Sequence, residues 1–220
     1  MDKPLLILPF DHRSSFSRDI LGIEGKLNLK QKKEISDLKK IIFEAFTIVR
    51  KKYKAKDYFG ILVDEEYGLP IIGQAQKMKI VICLPVEQSG QKTLDFEYGQ
   101  AFGSHVKKIQ PDYVKVLLRY NPLNKKINKQ QLSKLKELDI FCRQSNYKIL
   151  LELLVPPTDS DLKTAKTEIN YNNKLRLSRT IGAIKEIKKV ITVDIWKLEY
   201  FSHLGWQKII ETTSQNSKII

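Results

Sequence analysis

The sequence predicts a parallel α/β fold, on three observations. Near-continuous apolar runs occupy residues 5–10, 59–63, 80–86, 113–120, 148–155 and 190–198, the composition of strands covered on both faces. Segments with helical spacing of apolar residues lie between them. Single ionisable residues interrupt or end several of the runs: Asp11 follows the first, and Lys115, Glu152 and Lys197 lie inside later ones. The chain has 220 residues, 42% of them hydrophobic and 29% charged, enough for one domain with a real core. We expect residues 1–220 to form that single domain.

Leu5-Leu6-Ile7-Leu8-Pro9-Phe10 makes the first strand. It has little basic lead and no small-residue cleavage site, so it reads as a strand and not a secretory leader. Over residues 31–53, Ile35, Leu38, Ile42, Phe46, Val49 and Tyr53 recur at helical spacing. The runs 59–63, 80–86 and 113–120 supply the next strands. Leu132, Leu135, Leu138 and Phe141 mark a helix over 129–144, with Asn128 placed as its N-cap. After the strand at 148–155, Leu175, Ile181, Ile184 and Ile187 mark another helix, capped by Asn173. The run 190–198 is the sixth strand, 202–213 fits one more helix, and Ser217-Lys218-Ile219-Ile220 begins a further strand. Pattern alone leaves a doubly wound sheet and a barrel both open. No glycine-rich phosphate loop follows the first strand, which weakens the dinucleotide-binding option. Ionisable residues at or near the ends of different strands are how a (β/α)8 TIM barrel assembles a site on one face.

The net charge of +14 raises the class of nucleic-acid binders. Lysines are spread over most of the predicted helices, and no RNA-binding aromatic signature or zinc-finger spacing occurs, so a lysine-rich solvated surface accounts for the charge. The same surface attracts anionic sugar phosphates. No apolar run is long enough to span a bilayer. Cys83 and Cys142 are far apart in apolar contexts, which fits reduced thiols in the cytoplasm. His12, His105 and His203 are the three histidines. None sits at metal-ligand spacing, so no metal and no cofactor is expected. Asp64-Glu65-Glu66 is read as a solvated acidic loop in preference to a magnesium site.

A buried ammonium is costly, so Lys115, Glu152 and Lys197 need a reason. Two lysines and two carboxylates are the parts of a Schiff-base aldolase. Burial and a second ammonium nearby both favour a neutral, nucleophilic amine; Lys197 and Lys115 supply that pair. Glu152 suits proton transfer during carbinolamine dehydration. Asp11 suits removal of the hydroxyl proton as the carbon–carbon bond breaks, though a carboxylate after a strand equally suits helix capping. Pro9, Leu117, Leu150 and Ile195 lie two positions from the four candidates, so each ionisable group shares a strand face with an apolar neighbour.

Longer motifs add a resemblance. Cys83-Leu84-Pro85-Val86-Glu87-Gln88-Ser89-Gly90-Gln91, Phe96-Glu97-Tyr98-Gly99, Val114-Lys115-Val116-Leu117-Leu118-Arg119-Tyr120-Asn121-Pro122, Glu152-Leu153-Leu154-Val155-Pro156 and Ile195-Trp196-Lys197-Leu198-Glu199 occur in this order. With Phe10-Asp11-His12-Arg13 and Val63-Asp64-Glu65, they resemble the aldolase-like C-terminal domain of bifunctional inositol-catabolism kinase proteins. That domain is similar in turn to the tagatose-1,6-bisphosphate aldolases, class I enzymes. The resemblance covers nearly the whole chain. It implies a TIM barrel with Lys197 as Schiff-base lysine and Lys115, Glu152 and Asp11 as catalytic partners. Arg13, Glu87, Gln91 and Arg119, in the same motifs, are the expected substrate-binding residues. The implied substrate is a phosphorylated keto sugar or keto sugar acid, with 2-deoxy-5-keto-gluconate 6-phosphate suggested by inositol breakdown. Tyr200 stands where the family usually has glycine, and the family barrel continues through two further strands. We therefore expect a barrel truncated after its sixth strand, completed by a homo-oligomer or another partner. The alternatives are a non-catalytic barrel serving as a binding or scaffold subunit, and a basic nucleic-acid-binding domain.

Overall fold

A computed structural model describes residues 5–54, 58–213 and 217–220. It is a parallel α/β fold, and its contacts fall into two compact units: Met1–Gly90 with Phe96–Val114, and Gln91–Asp95 with Lys115–Ile220.

In the first unit, β1 (Leu6–Pro9), β2 (Phe59–Leu62) and β3 (Val81–Pro85) run parallel in sequence order. Leu6 pairs with Phe59 and Pro9 with Leu62, and Leu62 pairs with Cys83. β2 is buried throughout, as the apolar run predicts. β1 departs from that expectation. Leu6 is 55% and Leu8 36% exposed, because β1 is the first strand in the order and pairs with β2 alone among the described residues. α1 (Ser14–Leu21) ends on Gly22, whose left-handed φ of 65° turns its N–H back to the Arg18 carbonyl.

α2 (Leu29–Lys51) starts with a reciprocal cap. The Gln31 N–H donates to Asn28 Oδ1 and the Asn28 N–H to Gln31 Oε1, both at 2.9 Å. Its buried stripe is Ile35, Lys39, Phe43, Phe46 and Arg50. Of the apolar positions read from the sequence, Val49 is 47% and Tyr53 54% exposed. The buried face is thus rotated toward one containing two cations. α3 (Glu65–Lys77) presses on the end of β2. A Cβ at Gly68 would lie 2.3 Å from Val63 Cγ2, so only glycine admits this approach. α4 (Phe102–Ile109) completes the helices of this unit.

β4 (Tyr113–Arg119) opens the second set of strands, its first two residues counting with the first unit. β5 (Lys148–Leu154), β6 (Ile195–Leu198) and β7 (Lys218–Ile219) follow as parallel neighbours, with Glu152 paired to Lys197 and Trp196 to Ile219. The sixth strand is shorter than its apolar run. Asp194 accepts the Ile149 N–H at 2.8 Å through its side chain and donates its own N–H to the Ile149 carbonyl at 3.0 Å. Residues 190–194 therefore form a loop, and its apolar side chains, Ile191 and Val193, are buried in the core.

α5 (Lys125–Gln144) begins four residues ahead of the predicted start. Asn128 does not cap it. Buried inside the helix, it donates from Nδ2 to the Asn121 carbonyl at 2.7 Å and pins the loop after β4. α6 (Asp159–Ala165), α7 (Glu168–Lys174) and α8 (Arg176–Ile187) follow β5. Asn173 does not cap α8 either, because it is the penultimate residue of α7 and the two helices meet at Leu175. α9 (His203–Thr212) matches the predicted helix, with Ser202 accepting the Gly205 N–H. No described helix is long and apolar enough to cross a membrane.

Candidate functional site

In the second unit, three of the predicted residues converge. Lys115 projects from β4 and is 2% exposed. Glu152 and Lys197 face each other across the β5–β6 register. The Glu152 carboxylate bridges both amines: Oε2 lies 2.9 Å from Lys115 Nζ and Oε1 2.6 Å from Lys197 Nζ. Burial disfavours the Glu152 charge, but Lys115 and then Lys197 outweigh it and hold the carboxyl below the usual glutamate range. The two lysines differ in access. The Lys197 side chain is 26% exposed against 2% for Lys115, so Lys197 is the more accessible of the two lysines. Its nearest carboxylate oxygen, Glu152 Oε1, is within hydrogen-bond reach of Nζ and can exchange a proton with it.

Arg119 and Gln91 also meet in this unit, through an Arg119 Nη1 bond to the Gln91 main-chain carbonyl at 3.2 Å. Both residues are exposed. Gln131 fixes this corner by accepting the Leu94 N–H and donating to the Arg119 carbonyl, each at 3.0 Å.

The remaining predicted residues, Asp11, Arg13 and Glu87, belong to the first unit. Arg13 donates to the Glu87 carbonyl at 2.6 Å and to Glu97 Oε2 at 2.8 Å, and its guanidinium lies 3.8 Å from Glu87 Oε1. Arg13 and Glu87 are therefore each other's counter-charge, with Glu97 as a third member that received no role in the sequence reading. Arg13 also borders an open cavity of about 500 Å³ together with Ser17, Lys32, Tyr67 and Ser89.

Asp11 is 8% exposed at the end of β1. Nearby lies a pair that sequence reasoning missed: Lys39 and Asp64, 0% and 1% exposed at the side chain, form a salt bridge. Asp64 Oδ2 also accepts the Tyr67 N–H at 2.8 Å and so caps α3. The Lys39 ammonium sits 5.7 Å from the Phe16 ring centre and 5.4 Å from that of Tyr67. Burial pushes Lys39 down and Asp64 up, and each is the other's main compensation. The signal was present in the sequence: Lys39 is four residues from both Ile35 and Phe43, and Asp64 ends an apolar run as Asp11 does.

The acidic stretch at 64–66 is not a solvated loop. It forms the start of α3, with Glu65 bonded to His105 Nδ1 at 2.9 Å and Glu66 to Lys32 at 2.8 Å. Among the described residues no group of three or more His, Cys, Asp or Glu side chains is arranged to hold a metal ion. No curated protein matches the chain. A family model matches residues 1–220 in full, and the chain belongs to that family, described as an uncharacterized protein conserved in bacteria (DUF2090).

Proposed function

We propose that the protein is a class I, Schiff-base aldolase of the (β/α)8-barrel type. Its substrate would be a phosphorylated keto sugar or keto sugar acid, and 2-deoxy-5-keto-gluconate 6-phosphate is the compound to test first. The observation that carries the reading is the single Glu152 carboxylate held between a deeply buried lysine and an accessible one. Lys197 gives up a proton to Glu152, and its neutral Nζ attacks the substrate ketone and forms a carbinolamine. Glu152 protonates its hydroxyl, which leaves as water and gives the iminium. Removal of the substrate hydroxyl proton, a step that the resemblance gives to an aspartate, then breaks the adjacent carbon–carbon bond, releasing an aldehyde, and the electron pair is held as an enamine. Protonation of the enamine carbon and hydrolysis regenerate Lys197. The role of Asp11 rests on the resemblance of its motif.

Borohydride reduction in the presence of dihydroxyacetone phosphate tests this. A stable adduct is expected on the peptide containing Lys197. Lys197→Ala and Lys197→Arg should both abolish it, since a guanidinium stays protonated. No adduct on the folded protein, or one that persists in Lys197→Ala, would overturn the assignment. The same bridging geometry favours a second reading, in which the three residues form a structural ion triad of a non-catalytic subunit; a failed trapping experiment supports that reading.

A further inference from the structure

The ladder between β5 and β6 is four residues long, from Leu150 paired with Ile195 to Leu153 paired with Leu198, and the Glu152–Lys197 pair lies inside it. A side-chain carboxylate closes each end. At the start, Asp194 donates its N–H to the Ile149 carbonyl at 3.0 Å and accepts the Ile149 N–H on Oδ2 at 2.8 Å. Its carbonyl accepts the Lys218 N–H at 2.8 Å, so the same residue also joins β7. At the far end, Glu199 Oε2 accepts the Val155 N–H at 3.4 Å, and Arg176 holds the other oxygen at 2.7 Å. Arg176 is fixed in turn by the Tyr200 carbonyl at 2.9 Å and by the Phe201 ring, whose centre is 5.0 Å from the guanidinium carbon. Ile149 and Val155, whose N–H groups the two carboxylates accept, lie three residues to either side of Glu152. The first half of this device recurs in the first unit. Asp112 accepts the Ile82 N–H at 2.8 Å and donates its own N–H to the Ile82 carbonyl at 3.0 Å. In sequence, Lys115 follows Asp112 by three residues, as Lys197 follows Asp194.

We propose that Asp194 and Glu199 are positioning residues: they close the short β5–β6 ladder at both ends and so keep Lys197 Nζ within hydrogen-bond distance of Glu152. The contact they hold is 2.6 Å long. Proton exchange between an amine and a carboxylate needs that distance, and the ends of a four-residue ladder are where it would open first. A main-chain N–H donated to a carboxylate makes a bond roughly twice as strong as one donated to a neutral acceptor. Both acids bond main-chain groups flanking β5, so their effect reaches Lys197 through the strands. What Lys197 does with the contact rests on the aldolase reading, whereas the contact and its two closures are features of the second unit alone.

The test reads the Glu152–Lys197 contact itself, through the Nζ nitrogen resonance of Lys197 in protein labelled at lysine side chains. The signal is assigned by its loss in Lys197→Arg. As the pH falls it should report the titration of Glu152, a step that vanishes in Glu152→Gln. In Asp194→Ala the step should be lost. Asp194→Asn, which keeps an acceptor oxygen for the Ile149 N–H, should restore it. Glu199→Ala and Glu199→Gln form the same pair at the other end. Loss of stability alone should leave the step in place, and Asn128→Ala, in α5, is the control for that. Borohydride trapping with dihydroxyacetone phosphate should slow about tenfold in each alanine variant, since a displacement of about 1 Å can cost roughly a hundredfold. Should Asp194→Ala fail to fold, the Glu199 pair decides, at a side chain that is 30% exposed. A Lys197 resonance blind to Glu152 in the native protein, a step that survives in both alanine variants, or one lost in Asn128→Ala as well overturns the proposal. If trapping fails in the native protein the aldolase reading falls, whereas the resonance still decides the roles of Asp194 and Glu199.

Discussion

Glu152 accepts from one lysine on each oxygen, so its carboxylate is committed before any ligand arrives. Its charge survives burial only through those two ammoniums. A carboxyl whose folded pKa is depressed contributes stability above its unfolded value, here 4.5, and loses that contribution as the pH falls through the folded value. Urea unfolding across the acid range should show this loss in the native protein and a reduced one in Glu152→Gln. At neutral pH the variant should be about 3 kcal/mol less stable, because two ammoniums then face each other without an anion. An unchanged acid dependence in Glu152→Gln would show that the bridge contributes nothing to stability. Lys115, Glu152 and Lys197 were legible in the sequence because each is flanked by apolar strand residues, which weakens the solvated alternative and leaves a structural ion pair beside the catalytic one. The Arg13–Glu87–Glu97 group was not, since its members pair across 74 and 84 residues of sequence and nothing local announces the match.

The helices show what periodicity can and cannot resolve. In α2 the apolar count selected Ile35 and Phe46, which are buried, and Leu38 and Ile42, which are partly buried against the core, but also Val49 and Tyr53, which are exposed, and it omitted Lys39, Phe43 and Arg50 of the buried stripe. Adjacent helical positions differ by about 100°, and scoring lysine and arginine as outward-facing tilts the chosen face. The partner that justifies Lys39, Asp64, lies on another element 25 residues away. Asn28 tests the start of this helix: Asn28→Ala removes the side-chain half of the cap and should cost about 1 kcal/mol in urea unfolding. Asn128 tests α5 differently. It has the residue type of a cap, yet it is buried within the helix on the Asn121 carbonyl. Asn128→Ala should cost about 1–3 kcal/mol through that lost buried bond. Asn128→Ser, an equally good cap residue, should not recover it, because the shorter side chain does not span the gap. Recovery by serine would return Asn128 to a capping role.

For the whole molecule the net charge of +14 decides its behaviour toward polyanions. A charge of this size attracts polyanions through field strength, without reading their sequence. Heparin or DNA should be retained at low salt, released by about 0.2 M salt, and bound with no sequence preference. Retention of one DNA sequence over others at that salt would revive the nucleic-acid alternative. The alternating strand and helix order was legible along the chain, because strands buried on both faces have to be written as apolar runs. The length of β6 was not, because its limit is set by Asp194 gripping Ile149 with both main chain and side chain. That grip fixes which residue of β6 faces Glu152. It also divides the neighbouring sequence into two kinds of length variation. Ahead of Asp194, an added or lost residue can be absorbed by the loop, and the alignment of β6 survives. Between Asp194 and Lys197 it cannot, because a shift of one place sends the lysine to the opposite side of the strand and brings a tryptophan or a leucine to Glu152. Insertions and deletions among natural relatives should therefore collect before Asp194 and be missing from the three-residue interval after it wherever the lysine is retained.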